Sequence, residues 1–222
     1  MSSRIFLLSP ANCNGIRARQ VLSPKATFEL AVTLRSRKGA MLGDVFAFIS
    51  GLYFRGKLTY AMRFAAPPDP GNEIVGLGVQ IITPNAGLRS ADVYVNHKAV
   101  TAFAAGDVHQ SNESYRRPLE KSARALLREI GPDCDVVLLG SVASPKYVDV
   151  LTGIFGDRLL FPIDFVGRGD MSRGGLLLRQ ARDGVELPYV PVRGAVVHGA
   201  RPPKLPPLDY GRGKPLKWAE RG

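Results

Sequence analysis

One stretch of the chain, residues 134–164, constrains the fold more than any other. An uninterrupted apolar run, CDVVLLG, is followed by the helical pattern PKYVDVLTGIFG and then by a second apolar run, RLLFPID. Continuous apolar runs are typical of strands that are buried on both faces of a sheet. Pro145 suits the first position of a helix, and Gly156 suits the position that ends one. Two such strands joined by a helix form a right-handed crossover between parallel strands, which predicts an α/β fold.

The rest of the chain supplies further elements of the same kind. Additional strands are predicted at Ile5–Leu8, 75–84 and 93–97. A helix is predicted from Ser23, as N-cap, and Pro24 to about Lys38, where Gly39 stops it. Further helices are expected over 43–65, 119–130 and 173–182, and exposed loops over 9–20, 85–92 and 104–118.

Length and composition favour one large domain. The chain has 222 residues, of which 45% are hydrophobic, enough to bury a substantial core. We expect residues 1–192 to form a single three-layer α/β domain with a mainly parallel sheet and helices on both faces. Residues 193–222 combine recurrent prolines with seven Lys or Arg against two acids, which predicts an extended, basic, Pro-rich C-terminal arm. That arm either lies over its own domain or reaches toward a protein partner.

Charge and cysteine content limit the partners and the compartment. Thirty Lys and Arg against nineteen Asp and Glu give a net charge of +11, which favours polyanionic partners such as nucleotides or nucleic acid. Two cysteines, Cys13 and Cys134, are too few for a disulfide framework, and the sequence contains no Cys/His cluster of the kind that binds a metal. The apolar segment of RIFLLSP is shorter than a signal sequence requires, and no run is long enough to span a membrane. We therefore expect a cytoplasmic protein with no membrane partner, no metal and no cofactor.

Four segments are predicted to follow strands: residues 9–20, 83–92, 140–146 and 164–175. Ligands of open parallel sheets bind beyond the carboxyl ends of the strands, so we expect these segments to share one cleft. Asn and Arg side chains in the first segment are suited to a base or sugar, and free N–H groups where a helix starts in the third are suited to an anion. An ordinary capped helix is the alternative interpretation of the third segment. The candidate ligand-binding residues are Ser9, Asn12, Asn14, Arg17, Gly140, Ser141, Ser144 and Lys146.

The fourth segment belongs to FVGRGDMSRGGLLLR, residues 165–179. Arg168 and Arg173 would form a fork for phosphate or carboxylate if both turned inward, and would be ordinary solvated charges if they turned outward. Asp170 or Ser172 is expected to cap the following helix. The candidate catalytic carboxylates are Asp164 and Asp170, and the candidate ligand-binding residues are Gly167, Arg168, Gly169, Ser172 and Arg173.

Two further patterns leave alternatives open. The adjacent Gly174 and Gly175 each cost a helix about 1 kcal/mol relative to alanine, which indicates that something approaches the backbone closely there. The segment SGLYFRGKLTYAMRF interleaves aromatic and basic residues, which suits base stacking and phosphate contact, although core aromatics on a helix explain it equally well. Cys13 has no histidine nearby in the sequence and is expected to be inert.

A resemblance to known proteins rests on the order of elements over residues 4–180. The order is a first strand with a polar loop, a strand leading to PNAGLR, then VVLLGS with KYVDVL, and finally PIDFVGRG. In that order the chain resembles uncharacterised bacterial α/β domains related to YaaA-like and nucleoside N-glycosidase-like proteins. The resemblance implies that a loop of the GLL type and a late glycine-containing loop frame the site. AGLR departs from the usual YGLL, and the C-terminal arm lies outside the resemblance.

Two function classes follow from these observations. The first is a nucleotide- or nucleic-acid-handling enzyme, an N-glycosidase-like hydrolase or transferase that cleaves or exchanges a base–sugar bond with Asp164 or Asp170. In it, the arginines would hold phosphate, and Asn12 or Asn14 would contact the base. The second is a non-catalytic nucleic-acid-binding or assembly module that uses the basic C-terminal arm. The chain has no G-x-x-x-x-G-K-[ST] motif, which disfavours P-loop nucleotide hydrolysis.

Overall fold

The computed structural model describes residues 3–143, 145–196 and 199–205. Within them the strands are β1 Arg4–Leu8, β2 Ala40–Met41, β3 Val79–Thr83, β4 Gly87–Ser90, β5 Tyr94–Val95, β6 Asp135–Leu139, β7 Leu159–Pro162 and β8 Tyr189–Pro191. The α-helices are α1 Ile16–Leu22, α2 Glu29–Arg35, α3 Leu42–Ser50, α4 Leu52–Phe64, α5 His97–Ala105, α6 Glu113–Glu129, α7 Pro145–Phe155 and α8 Asp170–Asp183. Short 3-10 helices cover Gly156–Arg158 and Ile163–Phe165.

Six of the strands form one mixed sheet in the order β4-β3-β1-β6-β7-β8. The four inner strands are parallel, with Phe6 of β1 opposite both Val79 of β3 and Val137 of β6. The two outer strands, β4 and β8, run antiparallel to their neighbours. The predicted α/β fold is therefore confirmed, and β2 with β5 forms a separate antiparallel pair.

Alternation along β1 divides the core between the two faces of the sheet. Phe6 and Leu8 belong to a hydrophobic cluster that also includes buried residues of α1, α3, α4 and α8. Ile5 and Leu7 belong to a second cluster, which includes buried residues of α6 and α7. All four side chains are fully buried, and each such burial contributes about 1.5–3 kcal/mol relative to exposure. Helices therefore cover both faces of the sheet.

The βαβ unit and the first strand agree closely with the sequence prediction. β6, α7 and β7 occupy the predicted positions, and β6 and β7 are parallel neighbours. Helices α3 and α4 cover the stretch predicted as helical, and they meet at Gly51, which has a φ of 70°. The end predicted for the helix at Gly131 is also confirmed, because α6 ends there.

Several local predictions were wrong. Ser23 follows α1 in an extended conformation, and the next helix begins only at Glu29, so Ser23 and Pro24 do not start a helix. Part of the segment predicted as a loop over 9–20 belongs to α1, in which Ala18 and Val21 are buried. The segments predicted as loops over 85–92 and 104–118 contain β4 and the start of α6.

At each edge of the sheet, the outer strand has a position without a free backbone N–H group. The backbone N–H of Leu88 in β4 donates to Ser122 Oγ of α6 at 2.8 Å. At the other edge, β8 has only three residues and ends at Pro191, which has no backbone N–H to donate.

The described part of residues 193–205 contacts the domain. Arg193 forms an ion pair with Asp157 at 3.1 Å, and Leu205 packs against the core cluster on the α4 and α8 face. Residues 206–222, most of the predicted C-terminal arm, lie outside the described residues. None of the described helices is long and apolar enough to cross a membrane.

Candidate functional site

A cleft with a volume of about 500 Å³ opens at the carboxyl edge of the sheet. Its walls come from the loop after β1, the loop after β6 with the start of α7, the first residue of α8, and residues 106–108 after α5. Pro84, which follows β3, Tyr53 of α4 and Phe103 of α5 complete the lining. Of the four segments predicted to share a cleft, residues 9–20, 140–146 and 164–175 contribute several residues or a charged residue, and residues 83–92 contribute only Pro84.

The topology of the sheet explains why the cleft is there. After β1 the chain continues to helices on one face, and after β6 it continues to α7 on the opposite face. The loops that follow these neighbouring strands therefore diverge and leave a crevice between them, which is where open α/β sheets bind ligands. Ser9 and Ser141 lie on the two sides of this crevice.

Six of the predicted site residues line the cleft: Ser9, Asn12, Asn14, Ser141, Lys146 and Asp170. Gly140 lies immediately behind them, because a Cβ at this position would be 2.8 Å from Ser9 Cβ and 2.9 Å from Tyr147 Oη. Only glycine therefore allows β6 to end so close to Ser9. Ser144 lies outside the described residues.

The remaining predicted residues lie away from the cleft lining: Arg17, Asp164, Gly167, Arg168, Gly169, Ser172 and Arg173. The Arg17 guanidinium is close to Gly51, at the junction of α3 and α4. Gly167 has a φ of 72° and lies against the backbone of Ala200. Glycine is therefore required at residue 167 by its backbone conformation and by the chain that packs on it.

The two arginines of the fourth segment hold that segment together. Arg168 Nε donates to the backbone oxygen of Asp164 at 3.0 Å, and its Nη1 donates to Ser172 Oγ at 3.3 Å. Arg173 Nε and Nη2 both donate to the backbone oxygen of Phe165, at 3.2 and 3.0 Å. Because these donors bind backbone and hydroxyl oxygens of their own segment, the arginines fix the turn that leads into α8.

Asp170 is the first residue of α8, and its side chain is 69% exposed. The N-cap is Gly169, with no hydrogen bond from a side chain, so the predicted capping by Asp170 or Ser172 was wrong. The carboxylate of Asp170 lies 3.7 Å from Arg173 Nη1, beyond hydrogen-bonding distance. An acidic residue in the first turn also interacts favourably with the helix dipole. Asp170 therefore presents a carboxylate to the cleft that is held in place only loosely.

A lysine of the aromatic and basic segment, whose burial was not predicted, lies directly behind Ser9. Lys57 of α4 is 1% exposed, and its Nζ lies 2.8 Å from both the backbone oxygen and Oγ of Ser9. The rings of Tyr53 and Phe54 lie 4.7 Å from the same nitrogen. Burial lowers the pKa of Lys57 to about 7, and the negative charge of Asp170 opposes this shift. A lysine in an amphipathic helix is normally exposed, so the local pattern does not predict this burial.

Two tyrosines add hydroxyl groups to the cleft. Tyr147 Oη of α7 accepts from the backbone N–H of Ser141 at 3.0 Å and donates to its carbonyl at 3.1 Å. The Tyr53 hydroxyl is buried and has no hydrogen-bond partner among the described residues. Burial raises the pKa of both phenols, and the nearby Arg173 guanidinium partly opposes that rise. Both hydroxyls therefore stay protonated, and the Tyr53 hydroxyl, which donates to no described residue, is able to donate to a ligand.

Charged groups of both signs line the cleft. Asp170 and Asp107 supply carboxylates, and Lys146 in the first turn of α7 supplies positive charge. Asp107 lies in the segment predicted as a featureless loop and was therefore missed. In the described part of the chain, no group of three or more His, Cys, Asp or Glu is arranged to hold a metal ion.

The aromatic and basic segment of α4 forms part of the core. Tyr53, Phe54 and Tyr60 are buried, as is Lys57, so of its aromatic and basic residues only Arg55 and Arg63 are exposed. Stacking of nucleic-acid bases on this segment, one of the two interpretations of the pattern, is therefore wrong. Cys13 is also buried, and burial raises the pKa of its thiol to about 12, which makes it a poor nucleophile.

Comparisons with known proteins add no further constraint. No family model, curated protein or solved structure matches this chain.

Proposed function

We propose that the cleft binds a nucleotide and that Asp170 acts on its base–sugar bond. The observation that carries this proposal is the position of the Asp170 carboxylate: it lies at the cleft, largely exposed, and forms no hydrogen bond with the nearby Arg173. A carboxylate with free oxygens is able to approach a ligand atom that develops positive charge. Asp164, the other candidate carboxylate, does not line the cleft and has no part in this proposal.

The phosphate group would occupy the end of the cleft formed by α7. The side chain of Lys146 and the positive end of the dipole of this eleven-residue helix favour an anion. The buried Tyr53 hydroxyl supplies a further donor that no described residue uses. The net charge of +11 adds long-range attraction for a phosphorylated ligand.

The base would lie near Asn12 and Asn14, whose side chains both donate and accept hydrogen bonds. As the base–sugar bond lengthens, positive charge develops on the sugar, and the Asp170 carboxylate stabilises it electrostatically. Water that enters the open cleft then adds to the sugar, and the base leaves with a proton.

The test is release of free base from nucleoside 5′-monophosphates and nucleosides, measured chromatographically with the full chain. We expect wild-type protein and Asp164→Asn to release base from the same substrate, and Asp170→Asn to be slower by about 100-fold or more. Melting temperatures, measured with and without each nucleotide, show whether every variant still folds and binds. Absence of base release by wild-type protein, or equal rates in wild type and Asp170→Asn, would overturn the proposal.

The alternative is a module that binds nucleic acid through the basic residues at the C-terminus. Because Arg193 and Leu205 contact the domain, truncation after Leu205 separates this possibility from a loss of folding. Under the alternative, truncation abolishes a salt-sensitive affinity for DNA or RNA. Under the nucleotide proposal, truncation leaves nucleotide binding and base release unchanged.

A further inference from the structure

We propose that Ser9 is a nucleophile and Lys57 its general base, so that the floor of the cleft carries a Ser–Lys pair that reacts with acyl esters. The pair is defined by direct geometry: Lys57 Nζ lies 2.8 Å from Ser9 Oγ. A base within hydrogen-bonding distance of a hydroxyl is the arrangement that activates serine nucleophiles. Ser9 also lines the cleft, so its Oγ is placed where a ligand is able to reach it. This activity goes beyond the proposed function and does not use Asp170.

Burial gives Lys57 the chemistry of a base. Its side chain is 1% exposed and forms no hydrogen bond or ion pair with a carboxylate in the described part of the chain. Removing a charged amine from water is costly, so burial lowers the pKa of Lys57 to about 7. About half of the Lys57 amines are therefore neutral near pH 7, and most are neutral at pH 8.

The hydrogen bonds around Nζ fit a neutral amine. Such an amine has two N–H groups and one lone pair. Nζ donates to the backbone oxygen of Ser9 and lies 2.8 Å from Ser9 Oγ, to which the charged form donates. In the neutral form the lone pair takes the place of that N–H and accepts the hydroxyl proton of Ser9. The rings of Tyr53 and Phe54 lie on the remaining side, where they require no second polar partner. This arrangement directs the lone pair of Lys57 to Ser9 Oγ.

The charged and titratable groups around the pair come from three helices. Asp170 and Arg173 belong to α8, Tyr53 belongs to α4 and Tyr147 belongs to α7. Of these, Asp170 favours the charged form of Lys57, and its influence is smaller than that of burial. Both tyrosines remain neutral because burial raises the pKa of their phenols. The titration of Lys57 therefore controls the reactivity of Ser9 near neutral pH.

The reaction balances without any oxidant or reductant. Ser9 Oγ forms a bond to the carbonyl carbon of the ester while its proton passes to Lys57 Nζ. Collapse of the tetrahedral adduct breaks the carbon–oxygen bond to the alcohol, which leaves with the proton from Lys57. Water then attacks the acyl group on Ser9 in the same manner, which releases the acid and restores Ser9. The positive charge of Lys146, which lines the same cleft, stabilises the negative oxygen of the adduct.

The test uses phenylmethylsulfonyl fluoride and 4-nitrophenyl acetate with the full chain. We expect one sulfonyl adduct on Ser9, located by peptide mass spectrometry, with fluoride as the leaving group. Its rate of formation rises with pH through about 7 and then levels off, following the neutral fraction of Lys57. Release of 4-nitrophenol follows the same pH profile.

Three variants separate this proposal from a structural role of Lys57. Ser9→Ala loses the adduct, whereas Ser114→Ala, at an exposed serine of α6 that does not line the cleft, keeps it. Lys57→Met slows formation of the adduct by about 100-fold or more. If Lys57→Met does not fold, as judged by thermal melting, the pH profile of the wild-type protein decides instead. No adduct on Ser9 in wild type between about pH 6 and 9, a rate independent of pH in that range, or an undiminished rate in folded Lys57→Met would overturn the proposal.

Discussion

Gly56 of α4 and Gly174 of α8 face each other where the two helices cross. A Cβ at Gly56 would lie 2.6 Å from the carbonyl oxygen of Gly174, and a Cβ at Gly174 would lie 2.8 Å from the Cα of Tyr53. The close approach indicated by the glycine pair in the sequence is therefore that of another helix. Because α4 carries Tyr53 and Lys57 and α8 carries Asp170, this crossing places the groups of the candidate site beside one another.

The helix crossing gives a direct test with a neighbouring control. Gly174→Ala forces the methyl group into the α4 backbone and should lower the free energy of unfolding by about 1–3 kcal/mol. In Gly175→Ala the new methyl group meets only Leu205 Cδ1, at the ordinary contact distance of 3.7 Å. This variant should raise the free energy of unfolding by about 1 kcal/mol through helix propensity. Urea denaturation of both variants measures the difference. Similar effects at the two positions would show that the helices do not cross in this way.

A second pair of glycine variants tests the end of β6. Gly140→Ala places a methyl group against Ser9 Cβ and Tyr147 Oη, so we expect a loss of about 1–3 kcal/mol in the free energy of unfolding and weaker labelling of Ser9. Gly153→Ala in α7 has open space around the new methyl group, so its free energy of unfolding should rise by about 1 kcal/mol through helix propensity. Denaturation curves together with adduct formation report both effects. An unchanged rate of labelling in Gly140→Ala would place Ser9 Oγ elsewhere.

The pKa of Lys57 predicts how stability depends on pH. Because the folded-state pKa of about 7 lies below the value of 10.5 for a free lysine, the unfolded chain binds more protons between these pH values. The free energy of unfolding therefore gains a contribution that rises with pH above about 7, by at most about 1.4 kcal/mol per pH unit, and is constant below it.

Lys57→Met removes this contribution, so the free energy of unfolding of wild type should rise relative to that of the variant from pH 7 to 8.5. Denaturation across that range measures this change, and titration of the two thiols of the unfolded chain cancels because both proteins contain them. Lys98→Met, at an exposed lysine, is the control and should keep the wild-type slope. A slope that is identical in wild type and Lys57→Met would mean that Lys57 is charged in the folded protein at neutral pH.

The two tyrosines of the cleft should respond oppositely to loss of the hydroxyl. Tyr53→Phe removes a buried donor without a partner among the described residues, so we expect a gain of about 1 kcal/mol in stability. Tyr147→Phe removes the hydrogen bonds to Ser141 and should cost about 1–2 kcal/mol. Denaturation of each variant, with and without a nucleoside monophosphate, shows in addition whether Tyr53 contacts the ligand. Stabilisation by the nucleotide that is equal in wild type and Tyr53→Phe would exclude that contact.

The parts of the fold that could be predicted from sequence are those with strong local patterns. The apolar runs of β1 and β6 and the Pro and Gly residues around α7 gave the parallel arrangement directly. Pro118 favours a loop in the sequence, but it lies inside α6, so the prediction of a loop up to this residue was wrong. Tyr115 and Leu119 are fully buried on either side of it, and that burial offsets the cost of a proline in a helix.

The candidate site was predictable in its location and less so in its chemistry. Ser9, Asn12 and Ser141 were identified because topology places the ends of parallel strands at one edge of a sheet. The direction in which Arg168 and Arg173 point depends on carbonyl groups that become available only when the segment folds. The burial of Lys57 was missed for the same reason, since it results from contacts between segments distant in sequence.

The outer strands of the sheet restrict how this chain can meet another protein. On β4 the Leu88 amide is already engaged by Ser122, and on β8 Pro191 offers no amide. An added strand from a second molecule would lack these donors at either border, so growth of the sheet by intermolecular pairing is disfavoured. Encounters with other macromolecules must then rely on side chains, and variants that expose new backbone at these borders should aggregate more readily than wild type.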